Sequence, residues 1–156
     1  LKKRLFVLLG LLFLTGCEEK APLTAENIPS SFCCYAETVI DGTPFGGTFE
    51  KTADKEMSFT LDKPASLNGC RYVYTNGDIM LQADGLSFSL NKSGVPQGAV
   101  PLLLFDFFAA EGGTLTKNED GFTLCRTVNG VAACAAFDAS FRLLNLAGND
   151  TNIIFT

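Results

Sequence analysis

The sequence predicts an α+β protein, mainly antiparallel β, with a sheet of eight to ten strands curved around one apolar helix. Three observations predict it. Val100 to Ala110 (VPLLLFDFFAA) carries one charge, Asp106, in eleven residues, with Pro101 near its start and Gly112-Gly113 after its end. Proline suits the first turn of a helix, and glycine suits the position just past the last. Cys70 to Leu90 alternates polar and apolar residues around Asn76-Gly77 and Asp84-Gly85, both preferred two-residue hairpin turns. The remaining segments with strand character are joined by short turn sequences, which only antiparallel strands allow.

The helix is roughly 16 Å long at ~1.5 Å per residue, too short for the ~30 Å core of a bilayer. It is apolar on nearly every side, so nearly every side must be covered. It is either a core helix and nothing more, or it leaves a slot for an apolar ligand between itself and the sheet.

Ser31 to Ile40 is the first strand, and Asp41-Gly42-Thr43-Pro44 is turn chemistry. Pairing Ile40 with Phe45 places Ala36 opposite Phe49 and puts all four on one face. Gly46-Gly47 marks a bend or bulge in the second strand. A three-residue turn at Ala53-Asp54-Lys55 pairs Phe49 with Phe59 and Gly47 with Leu61, and Pro64 ends the third strand. The two following turns pair Tyr74 with Ile79, Tyr72 with Leu81, Leu81 with Phe88 and Ile79 with Leu90. Each turn independently turns Ile79 and Leu81 to the apolar face, so pattern and turn chemistry agree on the register. Asn91 to Gly98 is a loop leading to the helix. After it come a short strand at Gly113 to Lys117 and a hairpin of Phe122–Val128 with Val131–Leu144 around Asn129-Gly130. Ala133, Ala135 and Ala139 on the inner face of that hairpin leave room for something bulky. Ala147 to Asp150 turns the chain, and Asn152 to Thr156 adds a last edge strand.

Residues 1–16 read as an export signal: Lys2, Lys3 and Arg4 precede the apolar run Leu5 to Leu14. The run ends Leu14-Thr15-Gly16-Cys17, which resembles the lipobox of bacterial lipoproteins. That resemblance implies cleavage before Cys17, a thioether-linked diacylglycerol on its sulfur and an acylated amine, with palmitate a typical acyl group. Two or three acyl chains anchor a protein stably to a membrane. Residues 17–30 then form a lipid-anchored tether, in which Thr24 to Asn27 suits one helical turn, and residues 31–156 form a single domain. The chain has twelve basic and seventeen acidic residues and a net charge of −5 at pH 7. Loss of the signal makes it more negative. No basic stripe is present, so nucleic acid is not a partner.

The order of features resembles the LolA, LolB and LppX-type lipoproteins and lipoprotein carriers, and spore-germination lipoproteins of similar shape. A lipobox is followed by Leu61-Asp62-Lys63-Pro64, Leu67-Asn68-Gly69, the Asn76-Gly77 turn, Gly85-Leu86 and the Pro101-led helix. The resemblance covers roughly Phe32 to Phe155. It implies a strongly curved half-barrel with a helical plug and a hydrophobic cavity for acyl chains. This chain is shorter than those carriers and shows one clear helix where they have more, so the cavity it implies is small or absent.

There is no histidine, which removes Ser-His-Asp and Cys-His sites and the commonest metal ligand. No GxSxG, P-loop or GxGxxG spacing occurs. The carboxylates fall in turns or on outward strand positions, where solvation explains them. An enzyme is therefore not expected, and no cofactor or metal. Asp106 is the exception, expected at the helix rim facing water; otherwise it needs a buried partner. Cys125 and Cys134 lie symmetrically about the Asn129-Gly130 turn and within reach of a disulfide. The alternative is that all five cysteines after Cys17 are small hydrophobes. Cys33, Cys34 and Cys70 have no assignable partner and match no known zinc-finger spacing.

The expected function is that of an outward-facing, membrane-anchored envelope lipoprotein, in the outer membrane if the cell has two. It holds an apolar ligand, a lipid or acyl chain, between sheet and helix. The sheet contributes Tyr72, Tyr74, Leu81, Phe88, Phe122, Ala135, Phe137 and Phe141, and the helix Leu103, Leu104, Phe107 and Phe108. The ligand is expected near the alanine-lined strand. The rival is a dry-cored lipoprotein whose outer surface binds another envelope protein.

Overall fold

The computed structural model describes residues 24–53, 56–94, 99–148 and 150–156. The export signal, Cys17 and most of the tether lie outside them. Among the described residues eleven antiparallel strands form one sheet, more than the eight to ten expected. They are β1 (Phe32–Ile40), β2 (Thr43–Lys51), β3 (Met57–Lys63), β4 (Arg71–Thr75), β5 (Asp78–Ala83) and β6 (Leu86–Leu90), then β7 (Thr114–Lys117), β8 (Gly121–Val128), β9 (Val131–Asp138), β10 (Leu143–Gly148) and β11 (Thr151–Phe155). Helix α1 (Val100–Ala109) connects β6 to β7.

The spatial order is β6-β5-β4-β3-β2-β1-β11-β10-β9-β8-β7. Two meanders, β1–β6 and β7–β11, thus join where β1 meets β11, with Ala36 opposite Phe155. The last strand was expected at an edge; it sits in the middle and seams the sheet. The edges are β6 and β7, and α1 runs between them across one face.

That face is curled. Phe105 of α1 meets Tyr74 of β4 at 5.7 Å between ring centroids, while the Phe107 carbonyl accepts a hydrogen bond from Arg126 Nη1 of β8 at 2.7 Å. Seven strand spacings separate β4 from β8, about 34 Å in a flat sheet at ~4.8 Å each. A helix ~10–12 Å across reaches both only if the sheet wraps it. The fold is an open half-barrel with a helix inside.

Local chemistry explains the registers. Asn76 and Asp84 adopt φ 52° and 50°, each followed by a glycine of positive φ, as type I′ turns require. Tyr72 pairs with Leu81, and Leu81 with Phe88. The first hairpin differs from the expected four-residue turn. Asp41-Gly42 (φ 49° and 77°) forms a two-residue turn, so Ile40 faces Thr43 and Ala36 faces Gly47. The slip is two residues, so the same side chains still share a face, on which Ala36 and Phe49 are buried and Ile40 at the strand end is exposed. A bulge falls between Gly46 and Gly47. A Cβ on Gly47 would lie 2.1 Å from the Thr60 carbonyl oxygen, so only glycine fits there.

The strand expected over Val131–Leu144 is two strands. β9 ends at Asp138, the chain corners through Ala139–Arg142, and Leu143 returns opposite Phe137. The Asp138 carboxylate holds the corner by accepting the N–H of Ser140 (2.8 Å) and of Arg142 (2.9 Å). Gly148 faces Thr151, so the last turn is shorter than expected.

Candidate functional site

Helix α1 fills the curl. Val100 to Phe107 are all buried, and Leu104, Phe105 and Phe107 are 0% exposed. Phe105 packs between Phe49 and Tyr74, and Phe108 between Phe32 and Phe49. The alanine-lined strand, where a ligand was expected, leaves no room for one: Ala133 and Ala135 are 1% and 0% exposed. Among the described residues, a space between helix and sheet lies on the other wing, among Tyr72, Ile79, Leu90, Ala99, Pro101 and Leu102, and measures about 40 Å³.

Asp106 is not at the rim in water. Its residue is 8% exposed, and its two oxygens hold the two wings together. Oδ1 accepts from Lys92 Nζ at 2.8 Å, just beyond β6, and Oδ2 accepts from Asn129 Nδ2 at 2.7 Å, in the β8–β9 turn. Lys92 also lies 5.0 Å over the Tyr74 ring. At the same C-terminal end of α1, Arg126 Nε donates to the Gly112 carbonyl at 2.7 Å, beside its bond to Phe107. The bond to Phe107 satisfies one of the carbonyls that a helix terminus leaves open, and the bond to Gly112 fixes the chain just past it. Burial lowers the pKa of the Arg126 guanidinium below its usual value. Lys92 and Arg126 do not stand out in the sequence, and Asn129 does so only as a turn residue, because each acts across strands that the sequence does not place together.

A larger space opens at one end of the half-barrel. A groove of about 430 Å³ lies between the start of β1 and the β9–β10 corner. Its apolar wall includes Ile28, Phe32, Cys34, Phe137, Phe141 and Leu143, and Arg142 is its one charged side chain. Phe137 and Phe141 were among the expected lining residues; the others named for the sheet and helix are elsewhere. Tyr74, Phe122, Leu103, Leu104 and Phe107 are buried in the core, Tyr72, Leu81 and Phe108 are half-buried, and Phe88 is 50% exposed on edge strand β6. Phe141 is held at φ 61°, uncommon for a bulky side chain. Its ring stacks on Phe122 with centroids 4.2 Å apart and planes 4° from parallel. Such a backbone position persists only where the surroundings fix it.

Cys125 and Cys134 face each other across β8 and β9 and are joined by a disulfide, S–S 2.04 Å. Cys33, Cys34 and Cys70 are free thiols. Cys34 is pushed from an ordinary 9.0 to about 12, first by burial and then by the neighbouring Cys33, so it is a wall of the groove and no nucleophile.

The fold and groove define a class: an open antiparallel half-barrel, filled by one helix, with an apolar groove at its mouth. No family model matches the chain, and no curated protein matches it. Among solved structures it is similar to a LolA superfamily protein from Nitrosomonas europaea, at TM-score 0.47 and 10% identity, over 86% of this chain and 92% of that one.

Proposed function

We propose that this protein is a membrane-anchored lipoprotein that binds an apolar chain in the groove at the open end of its half-barrel. The observation that carries the reading is the groove. Its volume of about 430 Å³ falls in the ~300–1,000 Å³ range of small-molecule sites, and Phe32, Phe137, Phe141 and Leu143 line it. The space among the described residues between helix and sheet, at about 40 Å³, is too small for such a ligand. Ile28 and Pro29 at the groove edge are the end of the tether from Cys17, so a lipid anchor there would keep the mouth within reach of the membrane. The test is uptake of N-phenyl-1-naphthylamine, a neutral apolar probe that fluoresces when buried. Ser140→Trp, at an exposed lining position, should block uptake and leave the unfolding midpoint unchanged. Uptake unaffected by that variant would place the probe elsewhere and end the reading. The anchor has its own test: Cys17→Ser should abolish labelling by radioactive palmitate, and unchanged labelling would refute it.

A second reading rests on edge strand β6, where Leu86 is 60% and Phe88 50% exposed. An unpaired edge with apolar side chains suits a protein partner. Leu86→Lys with Phe88→Lys should then abolish crosslinking to an envelope protein in cells; an unchanged crosslinking pattern would refute it.

A further inference from the structure

From the groove's charge and size we infer that its ligand is a single-chain amphiphile with an anionic head, which Arg142 binds at the mouth. This rests on the reading of the groove as an apolar-chain site. The chain carries seventeen acidic and twelve basic residues, yet no Asp or Glu lines the groove and one cationic side chain does; Thr156, the last residue of the sequence, also lines it. Three other cations have carboxylates, Lys63 with Glu37, Arg71 with Glu50 and Lys92 with Asp106, and Arg126 is held by the Phe107 and Gly112 carbonyls. Among the described residues no carboxylate pairs with the Arg142 guanidinium. The nearest acid along the chain, Asp138, is turned into the corner, where its Oδ1 accepts the backbone N–H of Ser140 and Arg142. Its carboxylate therefore fixes the backbone that carries Arg142 and leaves the side chain available. A guanidinium presents a planar fork of donors that matches a carboxylate or a phosphate.

Size sets the number of tails. At ~30 Å³ per water-sized group, a groove of about 430 Å³ takes roughly fourteen such groups. That is one acyl chain, with the head outside, and not the two or three of a diacyl or triacyl lipid. The head class, carboxylate or phosphate, is shared between free fatty acids and lysophospholipids.

The test uses the full chain carrying Cys17→Ser, so that no attached lipid competes. Binding of cis-parinaric acid and of its methyl ester is followed by fluorescence. The acid should bind about five-fold more tightly than the ester, the scale of one exposed ion pair. Arg142→Gln should remove that preference by weakening the acid alone, and Arg142→Lys should keep part of it. Raising salt from about 0.05 to about 0.5 M should weaken the acid and spare the ester. Competition with palmitate and with lysophosphatidic acid separates the two head classes, and displacement by neither overturns the inference. Equal binding of acid and ester, or an Arg142→Gln variant that keeps the preference, overturns the inference while the apolar groove stands. Failure of both probes to bind removes the groove reading and this inference with it.

Discussion

Replacing Asp106 by alanine should loosen the grip of α1 on both wings of the sheet. The carboxylate accepts two hydrogen bonds, from Lys92 at 2.8 Å and from Asn129 at 2.7 Å. The Lys92 side chain is 40% exposed, so its bond is screened and contributes about 1 kcal/mol or less. The Asn129 bond has a charged acceptor on a buried residue and contributes about 1.5–3 kcal/mol. Removing both should cost roughly 2–4 kcal/mol, a large share of a typical 5–15 kcal/mol total. Asp106→Asn should cost less, because an amide oxygen still accepts from Lys92 and Asn129 can turn its own amide to match. Urea unfolding of the three proteins measures both differences. A Lys92→Met, Asp106→Ala double-mutant cycle then isolates the Lys92 share. If Asp106→Ala unfolds within about 0.5 kcal/mol of the parent, the carboxylate does not tie the wings and the argument fails.

Phe105→Ala removes a fully buried ring packed on Phe49 and Tyr74 and should cost about 3–5 kcal/mol in the same assay; a loss under half of that would mean that α1 is not the core of the fold. Gly47→Ala pushes a methyl group onto the Thr60 carbonyl and should lower the thermal midpoint severely, by more than ~3 kcal/mol of stability; a variant as stable as the parent would contradict the bulge. Replacing Cys125 and Cys134 by serine opens a link of sequence separation 9 and should cost about 2.5 kcal/mol from loop entropy, checked by unfolding with and without reductant. Cys34 stays protonated in the folded protein up to about 12, while its unfolded value is 9.0. Its contribution to stability is therefore complete below pH 9 and is lost as pH rises toward 12. Unfolding midpoints of Cys34→Ala and parent should converge over that window, and a constant gap would argue against it.

The sequence by itself determined what is local. Two-residue turns of Asn-Gly and Asp-Gly leave one register each, so the pairings of β4 with β5, β5 with β6 and β8 with β9, which sets Cys125 opposite Cys134, follow from turn chemistry and period-two alternation. The helix limits follow from Pro101 and the glycines after Ala110. The β9–β10 corner was hidden for a definite reason. Phe137 and Leu143 are paired partners separated by an even number of residues, so inward alternation continues through the corner as though the strand never broke. Only the tertiary structure decided what is distant in sequence. Alternation says which face is inside and is silent on neighbours, so the seam of Ala36 with Phe155 could not be read and the last strand was misplaced at an edge. Asp106 looked misplaced in an apolar helix until the curl carried Lys92 and Asn129 to it. The groove was equally invisible, because its walls come from the end of the tether, the start of β1 and the β9–β10 corner, which meet only when β11 closes the two meanders into one sheet.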